Sequence, residues 1–262
     1  MKYPIITVGI VRGRNNQDWF DKALNSISVQ VYRSFAEIDL IIIENFDRKK
    51  TIGKCYNEIA KQSKGEWVFY LGDDDTITCD YLVSLMSHCF NIINNYKDKE
   101  IVQVTSYTTL FGKNRKPEKS TKAPTGIWKK TYLIKHPFNE RLKKCIDTEM
   151  MKRLNQSSKY YPAIASYHYG YNYRQHDDNV SGNKLDRGDY DSVMPKVKKI
   201  EYLKDSEANE ISKFLKNICS HIKPVPQIKV DKENEVIGLI TRSCNVYQLK
   251  DIIKFIKGNS NG

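Results

Sequence analysis

Apolar positions fall along the chain in two alternating patterns. Ile5-Ile6-Thr7-Val8-Gly9-Ile10-Val11 is a nearly unbroken apolar run, the pattern of a strand buried on both faces. Over Asp18 to Val31 the apolar residues Trp19, Phe20, Ala23, Leu24 and Ile27 take helical spacing instead. The alternation then repeats. Ile38 to Ile43 reads as a strand ending in Glu44-Asn45, and Thr51 to Ser63 as a helix with Ile52, Cys55, Tyr56, Ile59 and Ala60 on one side. Glu66 to Leu71 is a third strand, and Asp80 to Tyr96 carries the helical stripe Tyr81, Leu82, Leu85, Cys89 and Ile92. Ile101 to Leu110 alternates as one further strand. Three β-α repeats predict an open α/β sheet, a fold that binds ligands beyond the carboxyl ends of its strands. Glu44 and the triplet Asp73-Asp74-Asp75 both fall at such ends.

The second half is less periodic. Gly126-Ile127-Trp128 opens a segment that runs through His136-Pro137-Phe138 to Cys145, and Ile146, Met150, Met151 and Leu154 predict a helix beginning around Asp147. Tyr160 to Tyr173 is dense in tyrosine and leads into Arg174-Gln175-His176 and the stretch to Gly182. Lys196 to His221 reads as helix, broken by the prolines at 224 and 226. Val236 to Ile240 followed by Leu249, Ile252, Ile253 and Ile256 predicts one more strand and an amphipathic helix. Lys250, Lys254 and Lys257 beside that apolar face also suit peripheral membrane contact, although packing on the main domain is the commoner outcome.

At 262 residues the chain is long enough for a full core, and no apolar run approaches a membrane span. Its start leads into a strand rather than a signal-peptide core, so a soluble, cytoplasmic protein is expected. Six cysteines without a Cys-x-x-Cys pair predict reduced thiols and no zinc cluster. The net charge of +12 is unevenly spread: residues 97–174 carry a net +11, whereas residues 1–96 carry −1. Such a concentration would steer a polyanion to one face. Lysine-rich composition and a solvated loop over Lys113 to Lys122 account for part of it equally well.

Three adjacent carboxylates repel one another, and a sheet-end turn that gathers them calls for a divalent cation or a sugar hydroxyl pair. Asp and Gly are also ordinary turn and cap residues, so Asp74 or Asp75 capping the next helix is the competing reading.

Several motifs together resemble glycosyltransferase family 2, the inverting sugar transferases of GT-A fold, over about Ile5 to Ser181. These are Asn15 with Ala23-Leu24-Asn25-Ser26-Ile27, Gln30 and Tyr32; Asn57 with Lys64-Gly65-Glu66; Leu71-Gly72-Asp73-Asp74-Asp75; Cys145-Ile146-Asp147-Thr148-Glu149; and Tyr173-Arg174-Gln175-His176. The resemblance implies a GT-A-type open mixed sheet flanked by helices, with a nucleotide-sugar-binding half over 1–110 and an acceptor half over 111–182. A helical extension over 183–222 and a small strand-helix unit over 223–262 would follow. Arg12 stands where many members have proline, Glu44 at the uracil-contacting acidic position, and Gly72 in place of a frequent aspartate.

On that resemblance Asp147 is the catalytic base, and Glu44, Arg12, Lys54, Asp73, Asp74 and Arg174 bind the donor. Asp73, Asp75 and His176 would hold Mn²⁺ or Mg²⁺, and Trp128, His136 and His168 would line the acceptor pocket. The implied reaction transfers a hexosyl or pentosyl group with inversion from a nucleoside diphosphate, such as a UDP-sugar, to an acceptor hydroxyl. A polyanionic acceptor is expected, either hydroxymethyl-pyrimidine DNA of a bacterial virus or a phosphate-containing envelope glycan. A noncatalytic sugar-nucleotide or nucleic-acid binding module is the rival, and the oligomeric state is left open.

Overall fold

The computed structural model describes residues 3–112, 115–120, 126–166, 168–176 and 200–204. The first three repeats form as the periodicity predicts. They are β1 (Ile6–Arg12), α1 (Gln17–Ser28), β2 (Ile38–Glu44), α2 (Ile52–Gln62), β3 (Trp67–Gly72), a two-residue β4 (Thr76–Ile77) and α3 (Tyr81–Asn95). Then come β5 (Glu100–Ser106), β6 (Thr108–Gly112), β7 (Arg115–Ser120), β8 (Ile127–Lys129), α4 (Lys130–Lys135), α5 (Ile146–Leu154), β9 (Tyr160–Ala165) and β10 (Tyr171–Gln175). Side chains start the early helices: Asn16 accepts from the Trp19 amide at α1, and Thr51 from the Lys54 amide at α2.

Six strands make one mixed sheet in the order β2-β1-β3-β8-β5-β9, with β8 antiparallel to both neighbours. Its faces are separated by strand alternation. Ile6, Val8, Ile10, Phe69 and Leu71 pack with α1 and α3, whereas Val68 and Tyr70 pack with α2, α4 and α5 around the fully buried Trp128. The open mixed α/β sheet with helices on both faces is therefore present as expected.

A second, four-stranded sheet, β4-β10-β6-β7, was not predicted. The single strand expected over Ile101 to Leu110 is two strands, because the chain leaves the large sheet at Tyr107, whose amide bonds the His168 carbonyl, and then pairs with β10. Part of the stretch expected as a lysine-rich loop is strand β7, paired antiparallel with β6. The tyrosine-rich stretch supplies β9 and β10. Residues 200–204 are not helical as expected: Leu203 bridges Ala163 in extended pairing. The remaining C-terminal expectations, the helix to His221 and the strand-helix unit, lie outside the described residues.

Cys55 and Cys89 are buried free thiols, and Cys145 is half-buried. Cys79 is disulfide-bonded, against the expectation of reduced thiols. Among the described residues no helix is long and apolar enough to cross a membrane.

The start of β3 is set by a buried polar knot. Thr7 Oγ1 donates to Asp39 at 2.9 Å and accepts from the Gly65 amide at 2.9 Å, while a Cβ on Gly65 would lie 2.5 Å from the Thr7 backbone nitrogen and 2.7 Å from the Ile5 carbonyl oxygen. Gly65→Ala is expected to destabilise the protein by about 1–3 kcal/mol, because backbone rather than a flexible side chain must give way. Urea denaturation should show a lower midpoint with an unchanged slope; an unaltered midpoint would remove this packing constraint.

Candidate functional site

Parallel register brings the strand ends together. Arg12 at the end of β1 lies opposite Glu44 at the end of β2, and Val11 lies opposite Gly72 at the end of β3. The aspartate triplet follows Gly72 in a turn closed by the Asp75 amide on the Gly72 carbonyl. All three carboxylates are buried. None of them caps α3, whose cap position is Asp80.

Each carboxylate oxygen of the triplet meets a protein donor. Asp73 Oδ2 accepts from the amides of Gly13 (2.9 Å) and Arg14 (3.0 Å), and its Oδ1 accepts from Arg14 Nη1 at 2.7 Å. The same Nη1 is 3.3 Å from Asp74 Oδ1, and Asp74 Oδ2 lies 2.6 Å from His176 Nε2. Asp75 accepts from the Arg174 amide on Oδ1 and from the Tyr171 hydroxyl on Oδ2, both at 2.7 Å. Gly72 makes this folding-back sterically feasible: a Cβ there would stand 2.7 Å from Asp75 Oδ2 and 3.0 Å from Asp74 Oδ1. Burial pushes the Asp75 carboxyl well above the usual carboxylate range and the Asp74 charge adds to this, with the Arg174 amide and Tyr171 hydroxyl opposing.

Strand β10 delivers both motif residues expected here. Arg174 Nε donates to the Asp74 carbonyl at 2.8 Å, and its guanidinium lies between the rings of Trp19 (4.9 Å) and Phe111 (4.5 Å). The His176 ring is 5.0 Å from that of Trp19. Arg12 lies over Phe20 and Phe46, 3.7 Å from the Glu44 carboxylate. Glu44 is 63% exposed, so its carboxylate faces outward. Lys54 is exposed in the first turn of α2.

Asp147 sits in the first turn of α5, but the cap position is Cys145, in left-handed conformation at φ 59°, so Asp147 is not the helix N-cap. Burial raises its carboxyl, and hydrogen bonding from Thr148 opposes only part of the rise. No basic side chain pairs with it among the described residues. Tyr56 feels both Asp147 and the triplet. Its phenol is pushed up first by burial, then by the charges of Asp147, Asp75 and Asp73, so it lies within electrostatic reach of both acidic groups. It is stacked on Tyr70 at 4.1 Å. From the C-terminal side, the half-buried Tyr202, whose phenol is raised first by burial, also feels Asp147.

The three acceptor expectations fall elsewhere. Trp128 is fully buried in the core against Tyr132 and Phe138. His168 is fully buried with Nε2 3.1 Å from Asp80 and Nδ1 accepting from the Gly170 amide, so it organises the approach to β10. His136 stacks on Tyr132 and packs against Tyr160, the first residue of β9, at the edge where β5 and β9 begin and away from the triplet.

The expected metal set is not assembled either. Asp73, Asp75 and His176 engage different partners, and among the described residues no group of three or more His, Cys, Asp or Glu is placed to hold a metal ion. The side chains as arranged do not fit one. Sequence reasoning missed Arg14, Trp19, Tyr56, Tyr171 and Tyr202. Only Tyr171 carried a signal, its two-residue offset from Tyr173 along one strand.

No family model and no curated protein sequence matches the chain. Among solved structures it is similar to S. aureus TarS 1-349 in complex with UDP, at 17% identity and a TM-score of 0.45, over 65% of this chain and 60% of that one. The corresponding complex with UDP-GlcNAc gives 16% identity and a TM-score of 0.48, over 69% and 61%. S. aureus TarS itself gives 16% and 0.43, over 64% of this chain and 36% of its own. This chain thus spans about three fifths of the first two. Likenesses of this size carry no weight for chemistry, which rests on the side chains above.

The raised Asp75 carboxyl has a consequence for stability. Because its proton is held more tightly in the folded state than in the unfolded chain, stability is lost as pH rises from the ordinary carboxylate range toward the raised value. Asp75→Asn is therefore expected to raise the melting temperature at pH 7 and to have little effect at pH 4. The gain at neutral pH should be on the order of a few kcal/mol, since each tenfold change in proton affinity is worth about 1.4 kcal/mol. Melting curves across pH 4–8 test this; equal effects at both ends would show that Asp75 is not perturbed.

Proposed function

We propose that the chain is a glycosyltransferase that moves a sugar from a nucleoside diphosphate donor to an acceptor hydroxyl with inversion. The observation that carries this reading is Asp147, a half-buried carboxylate without a basic partner among the described residues, together with the Arg12–Glu44 pair and the Arg174-flanked aspartate triplet at the carboxyl ends of the strands. The motif resemblance to glycosyltransferase family 2 supports the same assignment.

In this mechanism Glu44, at the open rim of the sheet edge, accepts the imide N–H of a uracil base. Arg12, Lys54 and Arg174 approach the diphosphate and stabilise the charge that develops on it as the anomeric C–O bond breaks. On the opposite side of the sugar the Asp147 carboxylate takes the proton of the acceptor hydroxyl as that oxygen attacks the anomeric carbon. Burial suits Asp147 to this task because a raised proton affinity makes it a stronger base at neutral pH. No step is assigned to Mn²⁺ or Mg²⁺.

The acceptor in this reading is a polyanion, modified DNA or a phosphate-containing glycan. Its support is the basic middle of the chain, part of which forms the hairpin β6–β7. That hairpin pairs with β10 beside Arg174, and Lys119 on it lies 4.8 Å over the Tyr169 ring.

Asp147→Asn is expected to lower transfer by about 10²–10⁴-fold while donor binding persists. Hydrolysis and transfer with UDP-, GDP- and TDP-sugars measure the first, and calorimetric titration with UDP the second. The wild-type rate should fall as pH drops through the raised carboxyl value, since only the ionised form accepts a proton, and the variant should lose that limb. Donor binding without turnover in the wild type would instead identify a binding module. For the acceptor, affinity for duplex DNA or an anionic glycan should fall steeply with salt, and a flat salt profile would exclude a polyanion.

A further inference from the structure

We propose that Arg14 is the resident counter-ion of the aspartate triplet, which keeps a divalent ion out of the cluster and leaves diphosphate binding to arginines instead of a metal. The second half of this proposal rests on the sugar-nucleotide reading; the first does not.

Arg14 is fastened where a cation is needed. Its amide and that of Gly13 hold Asp73 Oδ2, and its Nη1 stands 2.7 Å from Asp73 Oδ1 and 3.3 Å from Asp74 Oδ1, so one guanidinium bridges two carboxylates. The remaining oxygens are occupied by His176, the Arg174 amide and the Tyr171 hydroxyl. A divalent ion of the magnesium type needs oxygen ligands at about 2.0–2.1 Å in near-octahedral array. To gather them it would have to displace Arg14 and separate Asp74 from His176 or Asp75 from Tyr171. A guanidinium does not lose its proton in a protein, so this counter-charge is permanent.

The compensation is also local. Arg14 comes from the loop that joins β1 to α1, two residues after Arg12, and its side chain is only 22% exposed. Arg174, held between Trp19 and Phe111, lies on the other side of the same turn. A diphosphate entering along the carboxyl edge would thus meet guanidinium groups on both flanks of the triplet. Charge-assisted hydrogen bonds from arginine to phosphate oxygens suit that role.

The test uses the full chain and two probes, Mn²⁺ alone and UDP. Electron paramagnetic resonance of aqueous Mn²⁺ should be unchanged by the wild-type protein and by Arg14→Lys, whereas Arg14→Ala, with its carboxylates uncovered, should bind Mn²⁺ and quench the signal. Calorimetry should give a UDP affinity that differs by less than about twofold between EDTA and Mn²⁺ for the wild type and falls by about tenfold or more in EDTA for Arg14→Ala. Stoichiometric Mn²⁺ uptake by the wild type, or UDP affinity that depends tenfold on Mn²⁺, would overturn the proposal. If UDP binds under neither condition, the sugar-nucleotide reading fails and the diphosphate half of the proposal with it, while the Mn²⁺ spectra still decide the role of Arg14. Should Arg14→Ala lose its cooperative thermal unfolding, the wild-type spectra and titrations remain decisive alone.

Discussion

Burying three adjacent carboxylates is the most demanding constraint in this structure. Charge removed from water costs several kcal/mol per group unless donors replace the lost hydration, and like charges add to the cost. The chain meets that demand from two distant segments. Gly13 and Arg14 come from the first β-α loop, and Tyr171, Arg174 and His176 come from β10 and the residue after it, about a hundred residues beyond the triplet. Donors on both segments converge on the same turn, so the cluster fastens the small sheet to the large one. β4, which pairs with β10, begins immediately after Asp75. The arrangement of the acidic site and the docking of the second sheet are therefore one structural fact.

The same constraint explains details that otherwise look unrelated. Gly72 leaves room for the carboxylates to turn back toward β10. The buried Asp80–His168 pair, together with the Thr78 hydroxyl on Asp80, fixes the segment that leads into β10. Burial pushes the Asp80 carboxyl up, but the bonds and charge of His168 and the Thr78 hydroxyl outweigh it and leave the group below its ordinary value. A displaced β10 would leave Asp75 without the Tyr171 hydroxyl and the Arg174 amide together, which is the costly outcome for a buried acceptor.

What was legible in the sequence follows from which interactions are local. The β-α repeats announced themselves because burial on both faces of a parallel strand leaves an apolar run such as Ile5 to Val11, and a helix on its face leaves a stripe such as that of α3. The triplet and its place at a strand end were legible for the same reason. β4 and β8 are short, β7 has the polar sequence Arg-Lys-Pro-Glu-Lys-Ser, and β10 is half-exposed, so their pairings arise from tertiary contacts that no periodicity records. Backbone amides, which supply three of the triplet's donors, have no sequence signature at all. Trp128 and His168 were misassigned because an aromatic or imidazole ring looks the same in sequence whether it lines a pocket or is buried on Tyr132 or Asp80.

Tyr56 feels the charges of two acidic groups, Asp147 and the triplet, whose carboxylates have different surroundings. In the triplet, the Arg14 guanidinium bridges Asp73 and Asp74, and the His176 ring meets the other oxygen of Asp74. Asp147 has the Thr148 amide, its own amide and the Thr148 side chain against its burial, and its affinity for a proton still rises. Burial raises both Asp75 and Asp147, in the first case against the Arg174 amide and the Tyr171 hydroxyl and in the second against local donors alone. Burial and the charges of both acidic groups raise the phenol of Tyr56, which stacks on Tyr70, so it stays neutral and adds no further negative charge.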